Sequence, residues 1–503
     1  MLNAWAIASV WMLSVWIVWG SDQPQWGEAW TRNMVSNEKH LPESFDVKTG
    51  KHVKWSAALG TQTHSTPIVA HGRVYIGTNN GAPRDSRHQG DRGVLMCFDE
   101  RTGKFLWQLV VPKREEDPYF DWPEAGISSP ATVEGDRVYI VSNRGEVMCL
   151  DARGMSNGND GPYTNEATHF IPHQADNSTA TNGTWPNATG PLDADILWLF
   201  DLTKGAGIWS HDAAHSSILI HGDYLYLNTG TGVDNTHKRI RTPDAPSLVV
   251  LDKRTGRLVA REREEMAPNI FHNTWCSPSM AEVEGRSLVF FGGGNGILYA
   301  FDAAIPKGAA SGPQTLRKVW AYDFDPDAPK TNVHQFNGNR REGPSNFYGM
   351  PVFDNGRIYA AAGGDLWWGK NEAWLKCIDA SGTSTNRLIW SYPLQKHVLS
   401  TPAIYNGMVF IADCGRKFHC VDAENGQALW TQDVEGEVWA SPLVADGKVY
   451  LGTRSGAFYI FAAAKDKRLI SKSQLEAPVS ATATAANGVL YVATMSHLYA
   501  VSL

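Results

Sequence analysis

The chain has 503 residues, only 19% of them charged, and a formal net charge of −7. That composition excludes long disordered tails, and without a basic stripe no nucleic acid is expected as a partner. Length alone suggests two to four domains, unless a closed repeat makes one large unit.

The stretch from Ala4 to Gly20 is apolar apart from two serines and has no charged side chain. Val18-Trp19-Gly20 before Ser21 forms a tolerable cleavage site, although no Lys or Arg precedes the apolar run. Residues 1–20 are therefore expected to be a signal peptide or a membrane anchor. Either outcome exports the chain to the periplasm or beyond, with membrane contact only if residues 4–20 are retained. No Cys sits at the end of the stretch, which disfavours a lipoprotein anchor. Residues 21–44 form an N-terminal extension. Asp46, Thr49-Gly50 and Trp55 then resemble one strand without neighbours of its own.

From residue 65 onward a unit repeats. It reads Ser/Thr-x-Pro, a short apolar run, x-Gly-x-Val-Tyr, an alternating strand ending in Asp, and Thr-Gly-x-x-x-Trp. The first copy shows it whole: Ser65-Thr66-Pro67, Gly72-Arg73-Val74-Tyr75-Ile76, Phe98-Asp99, Thr102-Gly103 and Trp107. The Pro position recurs at Pro67, Pro130, Ile218, Pro278, Pro351, Pro402, Pro442 and Thr482. The last two steps are 40 residues each, enough for four short strands. Longer steps are that unit plus loop insertions, and period-2 alternation marks the strands. The last unit stops after three strands and lacks its Thr-Gly…Trp strand, which the Asp46–Trp55 segment can supply. The fold expected is an all-β, eight-bladed propeller over residues 45–503, its ring closed by the N-terminal strand and its sequence interrupted by an insertion at 152–195. Closure removes the open edges of a linear array.

Six cysteines in an exported chain invite disulfides. Cys97, Cys149, Cys377 and Cys420, however, occupy one repeat position, on blades too far apart for a bridge. They read as buried thiols acting as small apolar residues. Asn177, Asn182 and Asn187 in the insertion begin glycosylation sequons, relevant only in a host that glycosylates. Asn157-Gly-Asn159-Asp160-Gly161 reads as a turn, since its oxygen spacing does not match an EF-hand.

Strand order puts the tight turns between first and second strands on one face and most long loops on the other, which makes the second a binding face. Three residues before each Pro position, the chain enters its innermost strand. The bulky members of that column, His64, His215, Trp275, Tyr348 and Trp439, are expected to line the mouth of a central funnel. Trp367, Trp368 and Trp374 are the rim candidates, since interfaces favour Trp. His64, His88, His211, His215, His237, His272, His334 and His397 map to the same face, but no spacing converges three or four of them, so no metal site is expected.

The repeated Gly-x-Val-Tyr and Leu-Asp-x-x-Thr-Gly-x-x-x-Trp pattern resembles the pyrroloquinoline-quinone-like repeat over roughly residues 22–503. That resemblance covers quinoprotein alcohol dehydrogenases and non-catalytic propellers, among them the bacterial outer-membrane assembly scaffold. Fold does not choose between them. The dehydrogenases hold Ca²⁺ with a Glu, an Asn and an Asp, use a further Asp as base and lay the quinone on a Trp. Set against that pattern, Thr231 stands at a ligand position and Asn273 and Cys276 replace the two aspartates. His215 takes the place of the floor Trp, and the Ser142–Gly145 turn is too short to present a Glu, with Glu146 falling inside the next strand. No two cysteines adjoin to cap a quinone. The expectation is thus a monomeric, non-catalytic binding or scaffold protein without a cofactor, meeting a protein partner or small ligand on the long-loop face. The alternative is an oxidoreductase like the alcohol dehydrogenases dependent on pyrroloquinoline quinone and calcium.

Overall fold

The computed structural model describes residues 21–114, 120–170, 188–212, 215–305, 312–382 and 386–503. The leader at 1–20 and Asn177, Asn182 and Asn187 lie outside the described residues. Among the described residues no helix is long and apolar enough to cross a membrane.

Eight antiparallel sheets, each with a four-stranded core, make the eight blades of a β-propeller. Blade 1 runs Ile68–Ala70, Arg73–Asn79, Arg92–Asp99 and Phe105–Pro112, and blades 2 to 7 follow in chain order. Blade 8 holds Thr484–Ala486, Val489–Ala493 and His497–Val501, and its outer strand is Val53–Ala58, paired antiparallel with His497–Val501. The ring therefore closes with the N-terminal strand, as the missing repeat segment requires.

Each motif of the repeat has a physical task. In x-Gly-x-Val-Tyr the first two residues form the hairpin turn. His71-Gly72, Glu284-Gly285, Asn355-Gly356, Asn406-Gly407, Asp446-Gly447 and Asn487-Gly488 all have positive φ at both positions. That is the primed turn whose twist matches the flanking strands. The Trp of Thr-Gly-x-x-x-Trp latches one blade to the next. Its indole N–H donates to a carbonyl across the junction: Trp107 to Ala152 at 3.0 Å, Trp198 to Lys253 at 3.1 Å, Trp390 to Ala423 at 3.0 Å. Trp55 does the same to Glu100 of blade 1 at 2.9 Å, so the closing junction is built like the others. The Gly of the neighbouring turn makes room: a Cβ on Gly426 (φ +73°) would stand 2.6 Å from the Trp390 ring. All six cysteines are free and buried, four of them in the repeat position named above. Burial pushes the Cys377 and Cys420 thiols up to about 12.

Residues 21–44 are built into the propeller. They cross beneath the tight-turn end and bond to the innermost strands blade by blade. Gln23 pairs with Val69, Pro24 accepts from Val133, Trp30 accepts from Met280, and Met34 accepts from Val444. Asn33 exchanges two bonds with Ile404, and Val35–Ser36 adds a parallel strand to blade 7. Arg32 is fully buried at the crossing and donates to the carbonyls of Trp26, Ser217 and Pro278. Burial lowers its guanidinium to about 9. This segment stops the axis at one end. In the 152–195 insertion, residues 152–170 and 188–195 are described, and their elements are a turn at Gly154–Asn157 and a short helix at Glu166–His169.

Candidate functional site

At the other end the axis opens into a cavity of about 490 Å³. Trp26 of the crossing segment reaches its floor and donates to Thr482 Oγ1 at 3.1 Å. His64, His215, Trp275, Tyr348 and Trp439 all line it, together with Leu399 of the same column. The two other members, Ile127 and Val479, are buried against glycines of the second strands. The column converges because each blade contributes the entry to its innermost strand.

The wall is mostly aromatic. His64 stacks on Trp439 at 5.9 Å, His215 meets Trp275 edge-on at 4.5 Å, and Trp275 packs on Tyr348 at 5.2 Å. Trp367 bridges the two sides, 5.6 Å from Trp275 and 6.0 Å from Trp439. Trp368 rests on His237 at 4.8 Å. Trp367 and Trp368 thus belong to the cavity wall as well as the rim. Trp374 lies away from it: its strand pairing places the ring beside the Lys370 and Lys376 ammonium groups, at 5.2 and 5.6 Å. Trp122, 45% exposed in the crossing to blade 2, also lines the cavity and was not singled out in the sequence. Arg454 supplies one cation. It stacks 4.3 Å from the Trp439 ring and donates to Ser480 Oγ at 2.6 Å. Burial holds the His64 imidazole at about 3, helped by His215 and Arg454, and holds His215 at about 4. Both are neutral at neutral pH.

On one wall three histidines meet. His211, His237 and His272 come from the entry, the inner loop and the exit of blade 3, and their ligand-type nitrogens lie within 4.8 Å of one another. Sequence reading placed all three on this face but had no spacing signal to unite them. Asp365 stands behind His272. Its carboxylate accepts from His272 Nδ1 at 2.9 Å, from the Tyr348 hydroxyl, and from the backbone N–H groups of Trp367 and Trp368. Burial opposes its ionisation, yet His272 and these donors hold it at about 2. Asp212, whose carboxyl burial raises to about 6, is the only carboxylate on the cavity wall among the described residues.

The residues that would hold a quinone and calcium do not fit that group. Thr231, Asn273 and Cys276 are fully buried and do not line the cavity. Glu146 is locked in an internal pair, with His169 Nε2 at 2.9 Å and Ser142 Oγ at 3.1 Å. Calcium takes six to eight oxygen ligands, whereas this wall offers imidazoles and one carboxyl. Elsewhere, the Asn157–Gly161 turn is closed by an Asn157–Asp160 bond of 2.7 Å, and Asp151, Asp160 and Asp195 gather beside it.

The chain matches the family model described as outer membrane protein assembly factor BamB over residues 91–318 and 406–502. It belongs to that family of pyrroloquinoline-quinone-like propellers. Curated relatives include the quinohemoprotein alcohol dehydrogenase ADH IIB of Pseudomonas putida, 22% identical over 82% of this chain and 57% of the relative. Lupanine 17-hydroxylase [cytochrome c] of Pseudomonas sp is 23% identical over 78% of this chain and 52% of the relative. The chain spans little more than half the length of these relatives. Among solved structures, BamB from Moraxella catarrhalis superposes with a TM-score of 0.53 at 14% identity, covering 90% of this chain and 97% of that one. A europium-containing methanol dehydrogenase gives 0.61 at 11% identity, covering 96% and 98%. These likenesses show the shared propeller fold.

Proposed function

We propose that this chain is an exported propeller that binds without turnover, taking a small ligand or the tip of a protein partner in the funnel of its long-loop face. The observation that carries the reading is the cavity itself: about 490 Å³, aromatic on most sides, closed below by Trp26 and open above. Ligand pockets are commonly of this size, mainly apolar with a few placed polar groups. Indole and phenol rings give large contact area at low entropy cost. Export agrees with the leader-like segment at 4–20 and with a family description that names an outer membrane assembly factor. The alternative, an oxidoreductase using pyrroloquinoline quinone and calcium, has the two curated relatives in its favour. Against it stand the buried Thr231, Asn273 and Cys276 and the internally paired Glu146.

The test begins with capture of the partner from the exported fraction on the purified full chain. Its affinity is then measured for Trp439→Ala, in the funnel, and Trp367→Ala, toward the rim. A loss of at least about tenfold is expected, because interfaces concentrate their energy in few aromatic residues. Loss with Trp439→Ala alone identifies a ligand held in the funnel, and loss with Trp367→Ala alone identifies a partner lying across the rim. Normal binding by both folded variants overturns the reading.

A further inference from the structure

Aromatic contacts leave the histidine wall unexplained. The ring centroids of His211, His237 and His272 are 4.7 to 5.4 Å apart. Two of the rings are anchored from behind. His211 Nδ1 faces the Val233 carbonyl at 2.8 Å, and His272 Nδ1 faces Asp365 at 2.9 Å. Their Nε2 atoms are thereby directed to a common neighbour, Asp212, whose carboxylate oxygens lie 3.5 Å from His211 Nε2 and 3.6 Å from His272 Nε2. A ligating imidazole almost always hands its other nitrogen to a carboxylate, a carbonyl or water, which fixes the tautomer and the ring plane. Here both kinds of anchor are already in place.

Two independent observations point to something between these groups. His272 Nε2 is buried, in a residue 2% exposed, and has no hydrogen-bond partner. Asp212 Oδ1 is equally without one.

We propose that His211, His237 and His272, with Asp212 as fourth ligand, bind one divalent transition-metal ion of the zinc class in the funnel wall. Three imidazoles and a carboxylate suit zinc and the neighbouring nitrogen-preferring ions, and they do not suit calcium. Ligand nitrogens on tetrahedral zinc stand about 3.3 Å apart when each bond is about 2.0–2.1 Å. The three imidazole nitrogens now stand within 4.8 Å of one another, so binding the ion draws them together. Because Asp212, His237 and His272 line the cavity, the ion faces the funnel. This goes beyond the binding reading and also narrows it. A funnel with a cation on one wall and aromatic rings around it selects a ligand with an apolar body and an anionic or nitrogen donor.

The probe is the ion alone. The full chain is stripped with a chelator, and ZnCl₂ binding is measured by calorimetry. Co²⁺ serves as a spectroscopic stand-in, its visible absorption reporting tetrahedral nitrogen ligation. One saturable equivalent is expected. His237→Ala and His272→Ala should each weaken it by more than about 100-fold, beyond the 10–100-fold that loss of an outer partner costs. Asp365→Asn, which removes only such a partner, should fall within about 10–100-fold. His40→Asn, remote from the funnel, should bind like the parent. If His272→Ala does not fold, His237→Ala carries the test, since its imidazole is only partly buried. Absence of saturable Zn²⁺ and Co²⁺ binding by the folded chain overturns the proposal, and so does unchanged affinity in folded His237→Ala. Because no organic ligand is used, either result leaves the test of the aromatic funnel standing by itself.

Discussion

The two ends of the propeller are made by the same eight innermost strands, yet the axis is treated in opposite ways. At the tight-turn end, residues 23–36 bond to strand after strand, and the buried Arg32 caps three carbonyls, so the backbone groups there are satisfied by the crossing segment's backbone and side chains. At the long-loop end the strands begin with large side chains, and the space between them is left open. One end spends its polar groups on closure. The other keeps imidazoles, a guanidinium and indoles turned toward a cavity. The difference teaches where to look for function in a fold whose repeats are otherwise alike.

That contrast makes unequal demands on stability. Removing residues 22–56 takes away both the axial crossing and the outer strand of blade 8, leaving an open sheet edge and exposed apolar surface. The truncated chain is expected to aggregate or to lose cooperative unfolding, as followed by circular dichroism and light scattering. Near-unchanged melting would break the distinction between a structural end and a binding end. Next in size, Trp107→Ala removes a fully buried latch between blades 1 and 2 and should cost about 3–5 kcal/mol in denaturant unfolding.

Acid sharpens the comparison further. Burial would raise Glu146, but His169, Arg144 and Ser142 hold it down at about 2. A carboxyl with a depressed folded value contributes stability that is full above its ordinary value of 4.5 and is lost as pH falls toward 2. The melting difference between the parent and Glu146→Gln should therefore be constant above about pH 5 and shrink between 4.5 and 2. A constant difference down to pH 2 would remove Glu146 from the structural framework. The smallest stability effect is expected at the funnel. Trp439→Ala borders open space, so it should cost less than about 1.5 kcal/mol while reducing binding at least about tenfold.

Repetition made the fold legible. The Trp and Gly of Thr-Gly-x-x-x-Trp recur because each junction needs the same latch, and the missing copy at the C-terminus could be traced to Trp55. The funnel column was legible for the same reason: one strand position, read eight times, must surround the axis. What repetition does not write was not readable. The crossing at 21–44 occurs once and carries no period, so its polar residues looked like an appendage. His211, His237 and His272 lie on three loops of unequal length, and only the folded blade brings them together. Trp374 stands apart from the other two rim candidates. It sits in a strand, with its ring beside Lys370 and Lys376, whereas Trp367 and Trp368 line the cavity.

The central claim is that this funnel binds without quinone chemistry, and reconstitution tests it most directly. The purified full chain is incubated with pyrroloquinoline quinone and Ca²⁺, titrated by absorbance and tryptophan fluorescence, then supplied with primary alcohols and an artificial electron acceptor. No tight calcium-dependent uptake of the quinone and no alcohol-dependent reduction of the dye are expected. Saturable quinone binding accompanied by dye reduction that tracks alcohol concentration would contradict that claim and make the chain a dehydrogenase.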